Sequence, residues 1–280
     1  MPVIQLNQSV SSANSVRAFD LTDRGLLLGD GVFDTSLVVG GYVVLRDRHI
    51  GRLLEACEIF GLDVADTSIE ALMDSTVPAG ETGALRVTVT RGPGARGLAG
   101  TTATTPTVLT SFTPQALTYP PPPIRLGVSA IHRNPTAPSA LYKTLSYGDA
   151  IMGHRRALEA GFDDALFVTP DGRVSCSSIA NIWARFGSAL VTPPRGDGVV
   201  AGVMRNWILE HAAQAGYQVS ERSLRLEDLR DADGVFLTNS LRLLVPVRAI
   251  DDLDFASELP AKLVGLVGDL LTQAARTREA

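Results

Sequence analysis

The sequence has little lysine, little cysteine and no long apolar run. Lysine occurs only at Lys143 and Lys262, although the chain carries 25 basic residues. Two cysteines, Cys57 and Cys176, are too few for a disulfide framework or a cysteine-based metal site. No apolar run reaches about 18 residues, and no signal-peptide pattern opens the chain. We therefore expect no metal, no membrane partner and a reducing, cytoplasmic location.

Excess positive charge is absent as well. The formal net charge is −5 at pH 7, whereas a nucleic-acid-binding face is basic because it neutralises phosphates. Nucleic acid is therefore not an expected partner. The composition, with 45% hydrophobic and 20% charged residues, is that of a globular protein, and 280 residues suit one large or two medium domains.

Short strands and two helices are predicted for residues 1–118. Gly31–Val39 has the composition of a strand, and Gly40-Gly41 after it is a two-residue hairpin signal. Asp47 is placed to cap a helix with apolar residues at helical spacing, and a second helix is predicted for Ser68–Asp74. The first half therefore combines antiparallel hairpins with helices.

A proline-rich segment, Tyr119-Pro-Pro-Pro-Pro123, marks the predicted domain boundary, because four prolines make a stiff spacer. We predict a small N-terminal α+β domain (1–118), a linker (119–124) and a larger C-terminal domain (125–280). The larger domain is expected to contain a helix from Lys143 to about residue 160, and strands forming a mixed barrel or sandwich. The predicted fold class is α+β.

Three weak anion-binding signals accompany Lys143. Arg52 shares a helical face with His49, Gly202-Val-Met-Arg205 begins a helix with free N–H groups, and Thr238-Asn-Ser240 ends a strand with polar donors. A lysine amine forms an imine, which an arginine does not. Together these features indicate pyridoxal phosphate (PLP), a phosphorylated aldehyde. Each also has an ordinary interpretation, as a surface lysine, a solvated helix charge, a helix start or a polar turn.

A glycine-rich segment, Gly92-Pro-Gly-Ala-Arg-Gly97, matches the G-x-G-x-x-G pattern of dinucleotide-binding loops. No helix is predicted after it, and no acidic residue lies about 20 positions further on, so we do not expect a dinucleotide site. Arg91 and Arg96 instead suit a carboxylate, which an arginine binds through two parallel hydrogen bonds.

The order of five short blocks resembles the class IV aminotransferases, the fold type IV PLP enzymes. This family includes branched-chain and D-amino acid aminotransferases and 4-amino-4-deoxychorismate lyase. The blocks are Asp23-Arg-Gly-Leu-Leu-Leu-Gly-Asp-Gly-Val-Phe-Asp-Thr35, His49-Ile-Gly-Arg-Leu53, Lys143-Thr-Leu-Ser-Tyr147, Gly202-Val-Met-Arg205 and Asn239-Ser-Leu-Arg-Leu-Leu-Val-Pro-Val247. The last block has the form typical of the lyase branch. The resemblance implies a two-domain fold with the cofactor in the cleft between the halves.

The resemblance also implies a role for individual residues. Lys143 is expected to bind PLP as a Schiff base and then to move a proton as acid and base. The expected cofactor-binding residues are Arg52, Lys143, Tyr147, Cys176, Val203, Met204, Ser240 and Leu241. The expected substrate-binding residues are Thr35, Arg96 and Arg242. The resemblance implies a homodimer acting on a small amino substrate, to which the neighbouring subunit can contribute residues.

The sequence departs from the family pattern at Cys176. The family places a glutamate five residues before the asparagine that is Asn181 here, and that carboxylate keeps the pyridine nitrogen of PLP protonated. A neutral thiol is only a weak donor, so the cofactor is expected to withdraw electrons less strongly. Elimination is penalised less than transamination, because the leaving group removes the electrons. Alternatively Ser175 or a water substitutes for the carboxylate, or the strand is shifted by one residue.

Three functions therefore stay open. The first is a lyase that converts 4-amino-4-deoxychorismate to 4-aminobenzoate and pyruvate, favoured by Cys176 and by the Asn239-Ser-Leu241 form. The second is a transaminase of D-amino acids, branched-chain amino acids or (R)-amines, favoured by Arg96. In D-amino acid aminotransferases a histidine follows that arginine by two residues, and Leu98 stands there instead. The third is a PLP-binding protein without catalytic activity.

Overall fold

The structure is a computed structural model, and it describes residues 3–6, 19–98 and 105–276. Its contacts divide the chain into two compact units. The first unit contains the described residues up to Leu117, the short segment Lys143–Ser146 and the end of the last helix from Ala274. The second unit contains Thr118–Tyr142 and Tyr147–Gln273. Within the described part of the chain, no helix has both the length and the apolarity needed to cross a membrane.

The first unit is a five-stranded antiparallel sheet with helices. Its strand order is β1-β5-β4-β2-β3, and the hairpin turn between β2 and β3 is Gly40-Gly41, as predicted. Both glycines have positive φ, which glycine adopts without steric cost. Its elements are β1 (Val3–Leu6), α1 (Arg24–Leu28), β2 (Gly31–Val39), β3 (Tyr42–Val43), α2 (Arg46–Ile59), α3 (Asp66–Thr76), β4 (Gly83–Thr90) and β5 (Thr107–Pro114).

The second unit is built on a nine-stranded mixed sheet. Its strands are β6 (Ile124–Val128), β7 (Asp164–Val168), β8 (Val174–Ser177), β9 (Asn181–Phe186), β10 (Ala189–Thr192), β11 (Gln218–Glu221), β12 (Gly234–Asn239), β13 (Leu243–Ile250) and β14 (Leu253–Asp254). Its helices are α4 (Pro138–Leu141), α5 (Gly148–Glu159), α6 (Val203–His211) and α7 (Ala261–Arg276). The last three residues of α7 belong to the first unit.

A pairing between β8 and β9 closes part of this sheet on itself. The path β9-β12-β13-β6-β7-β8 returns to β9 through the pair Cys176 and Asn181, so six strands form a barrel. Each of the six strands contributes to one buried apolar cluster, with members Leu126, Leu166, Val174, Ile182, Leu237 and Val245. Burial of these side chains is the main force that holds the barrel together. Of the two predicted architectures, the barrel is confirmed.

Two local predictions are wrong. Lys143 does not begin a helix, because its carbonyl accepts a hydrogen bond from the Phe33 N–H (2.9 Å) and the Leu145 N–H donates to the Gly31 carbonyl (3.0 Å). The segment is therefore extended beside β2, and the helix begins only at Gly148. Asp47 does not cap α2, since the cap position is Leu45 and no side chain bonds there. Asp47 lies in the first turn of α2, where its negative charge still interacts favourably with the helix dipole.

Candidate active site

Lys143 lies in the first unit beside an aromatic ring. Its Nζ is 4.3 Å from the centre of the Phe33 ring, and the guanidinium of Arg86 is 3.6 Å from the same centre. A ring face attracts cations through its quadrupole, so Phe33 contacts both charges. Thr35, a predicted substrate residue, lies two positions after Phe33 on β2 and therefore on the same face of the sheet, paired in register with Arg86.

A buried aspartate, Asp34, is bonded both to Arg52, the predicted phosphate-binding arginine, and to His49. Asp34 accepts a hydrogen bond from Arg52 Nε at 2.8 Å and lies 2.7 Å from its Nη2. The other oxygen of Asp34 is 2.6 Å from His49 Nδ1. Asp34 and His49 are both buried. We call these three residues the Asp34 cluster; it orients Arg52 by pairing one edge of the guanidinium.

The charge state of the Asp34 cluster follows from its surroundings. Burial raises the pKa of Asp34, but the charges of Arg52, His49 and Lys143 outweigh it and lower that pKa to about 2. Asp34 is therefore an acceptor at neutral pH, so the proton in its bond with His49 is carried by Nδ1. The Asp34 cluster and Lys143 place a fixed carboxylate among cationic groups.

The two arginines of the glycine-rich segment have different surroundings. Arg91 is bonded to Asp30 through Nε and to the carbonyls of Phe60 and Gly61 through its two Nη atoms. It therefore has a structural role, not the carboxylate-binding role that the sequence allowed. Arg96 is exposed, as is Leu98. Of the two, only Arg96 presents an exposed guanidinium to a ligand.

In the second unit, the predicted phosphate-binding helix α6 begins at Val203 with Met204 next, and no side chain caps its N-terminus. The first N–H groups of a helix have no acceptor within it and carry a partial positive charge, so they attract anions. Gly202 precedes them. A Cβ at this position would lie 2.0 Å from Asn181 Oδ1. The close approach of this chain segment to β9 therefore requires glycine.

Replacement of Gly202 by alanine tests this approach. We expect Gly202→Ala to lower the free energy of unfolding by about 1–3 kcal/mol, the usual cost of overpacking. In the background of Asn181→Ala the same replacement is expected to cost much less, because the colliding amide is gone. Urea denaturation of the four proteins measures this coupling. Equal costs in both backgrounds would contradict the steric explanation.

Cys176 is buried in β8 and stands opposite Asn181 of β9. The structure bears on the two alternatives for the ring-nitrogen partner. The Ser175 hydroxyl lies 3.2 Å from the Gly198 carbonyl oxygen and 3.6 Å from Cys176 Sγ, so it is placed to donate a hydrogen bond to either. Ser175 is the extra residue of a β-bulge, since Cys176 pairs with Phe167 and Val174 pairs with Val168. A shift of the strand by one residue brings no carboxylate into place, since β8 is Val-Ser-Cys-Ser. The Cys176 thiol stays the predicted partner, and the Ser175 hydroxyl and a water stay the alternatives.

The turn between β12 and β13 holds three predicted site residues, Ser240, Leu241 and Arg242. Asn239 Oδ1 accepts hydrogen bonds from the Leu241 N–H (3.1 Å) and the Arg242 N–H (2.8 Å). The side chain of Asn239 thus shapes the turn, and Ser240 and Arg242 are half-buried within it. The Leu241 N–H already has an acceptor within the turn.

Other predicted positions are more ordinary. Tyr147 is half-buried, and its carbonyl accepts a hydrogen bond from the Ile151 N–H at the start of α5. Thr238 is buried, and its hydroxyl accepts a hydrogen bond from Trp183 Nε1 at 3.1 Å. Thr238 therefore stabilises the barrel, whereas the sequence allowed it a place among the anion donors. Lys262 is exposed on α7.

Comparison with known proteins decides the family. The profile of the family described as amino-transferase class IV matches residues 31–250. The chain belongs to the class IV aminotransferases. This family consists of PLP-dependent transaminases and lyases that act on small amino substrates, and the chain is accordingly an enzyme of this kind.

The names of individual relatives include both aminodeoxychorismate lyase and transaminase activity. An enzyme named bifunctional aminodeoxychorismate lyase / D-amino acid transaminase, from Mycobacterium tuberculosis, is 31% identical over 82% of this chain and 84% of its own. An aminodeoxychorismate lyase from Bacillus subtilis is 29% identical over 84% and 83%. A branched-chain aminotransferase from Thermoproteus uzoniensis shares the fold with a TM-score of 0.88 at 22% identity, covering 98% and 96%. The predicted fold type IV class is confirmed.

The donor groups of this class IV aminotransferase suit PLP chemically. An aldehyde needs an amine, which Lys143 carries, and a phosphate needs cationic or N–H donors, which Arg52 and the start of α6 carry. No side chain caps the N-terminus of that helix. The donor groups are therefore compatible with PLP. Lys143 and Arg52 belong to the first unit, and the start of α6 belongs to the second.

Sequence reasoning missed Asp34 and Arg24. Both lie inside the first family block, and both are charged residues that the structure buries. A signal was present, since Asp34 directly follows Val32 and Phe33 within the predicted strand Gly31–Val39, and a buried charge needs a partner. The partner arginines and backbone carbonyls lie up to 73 positions away, which no local pattern reveals.

Proposed function

We propose that this enzyme binds PLP at Lys143 and catalyses an elimination, converting 4-amino-4-deoxychorismate to 4-aminobenzoate and pyruvate as a homodimer. The observation that carries the proposal is that β8, the strand of Cys176, contains no acidic residue, so no carboxylate is available there at the expected ring-nitrogen position. Relatives named aminodeoxychorismate lyase support it.

PLP, when bound, supplies an aldehyde that joins an amine and a ring that withdraws electrons. The Lys143 amine is proposed to anchor the cofactor and then to remove the proton from the substrate carbon that bears the amino group. Arg52, the N–H groups of Val203 and Met204, and the Ser240 hydroxyl are proposed to bind the phosphate. Tyr147 is proposed to bind the ring hydroxyl, and Thr35, Arg96 and Arg242 to contact the substrate.

Elimination suits Cys176 better than transamination does for an electrostatic reason. A carboxylate stabilises a protonated ring nitrogen by charge, and a neutral thiol does not. With a weaker electron sink, a reaction whose leaving group carries the electron pair away has the smaller barrier. In the proposed lyase reaction, the enolpyruvate oxygen takes that pair as the carbon–oxygen bond breaks, and the ring becomes aromatic.

Transamination is the second candidate, because Arg96 is exposed and suits the carboxylate of an amino acid. The relative from Mycobacterium tuberculosis is named for both reactions. The two functions differ in the fate of the cofactor. A transaminase converts it to the amine form when an amino donor is given alone, whereas a lyase returns it unchanged.

The deciding experiment is an absorption spectrum of the PLP-loaded enzyme with separate additions of aminodeoxychorismate, D-alanine, L-leucine and (R)-1-phenylethylamine. We expect pyruvate and 4-aminobenzoate from the first compound, with the visible cofactor band retained. Loss of that band with an amino donor, without any pyruvate from aminodeoxychorismate, would instead establish the transaminase. Light scattering of the same sample measures the expected dimer mass.

Replacement of Cys176 by glutamate tests the role given to the thiol. We expect Cys176→Glu to accelerate conversion of the cofactor by D-alanine at least several-fold, because the carboxylate restores the protonated ring nitrogen. Cys57→Ser is the control, since Cys57 is the other cysteine of the chain and lies buried in α2. Single-turnover spectra measure the rates. An unchanged rate in Cys176→Glu would remove Cys176 from the ring-nitrogen position.

A further inference from the structure

A buried arginine, Arg24, is bonded to the backbone of the loop that carries Arg96. We call Gly92–Gly97 the Arg96 loop. Arg24 is 4% exposed, and its Nη1 donates hydrogen bonds to the carbonyls of Ala95 (3.4 Å) and Gly97 (2.7 Å). These two carbonyls belong to the residues on either side of Arg96. A single guanidinium group therefore grips the backbone before and after the exposed side chain.

Asp30 fixes Arg24 in turn. Asp30 Oδ2 accepts a hydrogen bond at 2.9 Å from Arg24 Nε and another at 2.9 Å from Arg91 Nε. Burial raises the pKa of Asp30, and the two arginines more than reverse this, so its carboxylate stays charged. The two arginines differ in the backbone that they hold. Arg24 holds the Arg96 loop, whereas Arg91 holds the carbonyls of Phe60 and Gly61 after α2.

The start of the Arg96 loop is fixed by further bonds to the same segment. The Arg24 N–H donates to the Gly92 carbonyl at 3.0 Å. Asp23 accepts from the Thr90 hydroxyl at 2.8 Å, and that hydroxyl accepts from the Gly92 N–H at 3.0 Å. Gly92 has φ +83°, and a Cβ there would lie 2.1 Å from the Thr105 carbonyl oxygen. These bonds and the conformation of Gly92 therefore fix the direction in which the loop leaves β4.

We propose that Arg24 is a positioning residue for Arg96, and that this clamp makes the Arg96 loop a preformed recognition element for the substrate carboxylate. The proposal rests on the proposed function for the identity of the ligand. Arg96 has no hydrogen-bond or ion-pair partner among the described residues. An arginine pairs with a carboxylate through two parallel bonds, which require a defined orientation. Ordering the backbone beforehand removes that cost from binding.

Arg24→Gln tests the proposal, with Arg91→Gln as a matched control. Both variants remove one arginine from Asp30 at the same distance and release two backbone carbonyls, but only Arg24→Gln releases the Arg96 loop. The first readout is amide hydrogen exchange of residues 92–97. We expect faster exchange there in Arg24→Gln and nearly wild-type exchange in Arg91→Gln. Equal exchange in the two variants would overturn the proposal.

The second readout separates recognition from chemistry. With aminodeoxychorismate or D-alanine, whichever the wild type accepts, Arg24→Gln is expected to raise KM about tenfold or more while kcat changes little. (R)-1-Phenylethylamine has no carboxylate. If the wild type turns this amine over, its KM should be the same in Arg24→Gln as in the wild type. A fall in kcat with constant KM would show that Arg24 does not act through carboxylate binding.

Failure of the proposed function and failure of this inference give different results. If the wild type releases no pyruvate and converts no donor, the proposed function fails, while hydrogen exchange still decides whether Arg24 positions the loop. Arg24→Lys serves if Arg24→Gln does not fold. It keeps a charge for Asp30 but loses the forked group, so the Arg96 loop should again exchange faster than in the wild type.

Discussion

Lys143→Ala is expected to abolish both turnover and covalent attachment of PLP. Proton transfer by a positioned group is worth about 10²–10⁴-fold in rate, and the variant also loses the anchoring amine. We therefore expect a loss of at least about a thousandfold. Borohydride reduction of the PLP-loaded protein, followed by peptide mass analysis, should find the pyridoxyl group on Lys143 in the wild type and on no lysine in the variant.

The scarcity of lysine makes this experiment unusually clear. Lys262 is the only other lysine, and it is exposed on α7, so Lys262→Ala is the matched control. That variant should keep wild-type activity and wild-type labelling. Label found on Lys262, or undiminished turnover in Lys143→Ala, would refute the assignment of the reactive amine.

Asp34→Ala is expected to lower the free energy of unfolding by about 3–5 kcal/mol, the usual cost of removing one partner from a buried ion pair. Asp34 is 4% exposed, and without it Arg52 and His49 lose their shared acceptor. Arg52 would also lose its orientation, so weaker retention of PLP should accompany the instability. Urea denaturation of the cofactor-free protein measures the stability without any contribution from ligand.

The control is an exposed ion pair that involves α2, the helix that also carries His49 and Arg52. Arg46 of α2 is bonded to Glu70 of α3, whose side chain is 41% exposed. We expect Glu70→Ala to cost no more than about 1 kcal/mol, because solvent screens an exposed pair. Similar costs for Asp34→Ala and Glu70→Ala would contradict the special role of the buried cluster.

Asp34 also predicts how stability depends on pH. Its pKa is lowered from 3.8 to about 2 by the neighbouring positive charges, in spite of burial. The stabilisation is therefore complete above the unfolded value and is lost as pH falls through the folded one. From the linkage relation the shift is worth about 2 kcal/mol. Between pH 4 and 2 the wild type should lose that much more stability than Asp34→Asn, measured by denaturation at each pH.

The elements set by short-range pattern were predictable. The strand Gly31–Val39 with its glycine hairpin was predicted with the observed bounds, since β-branched residues and a Gly-Gly turn act locally. The helix through His49 and Arg52 was predicted with an incorrect cap, because Leu45 adopts a left-handed conformation that no sequence signal announced. The scarcity of lysine, which occurs only at Lys143 and Lys262, supported the prediction of an imine-bound cofactor.

The segment around Lys143 is the clearest case of what the sequence did not decide. Its local pattern favoured a helix, but the backbone of Lys143 and Leu145 finds its partners on β2, more than 100 positions earlier. Tertiary pairing outweighs a weak local preference because each buried peptide group must be bonded somewhere. The same reasoning applies to Arg24, whose role depends on carbonyls of a distant loop.

The sequence by itself determined the family, and it predicted the reactive amine at Lys143 and the ring-nitrogen role of Cys176, because these depend on residue identity and spacing. Only the tertiary structure decided which charged residues are buried together, and hence that Arg91 is structural while Arg96 is exposed. Pairing of charges is a property of distance and burial, which fold topology sets and sequence separation does not.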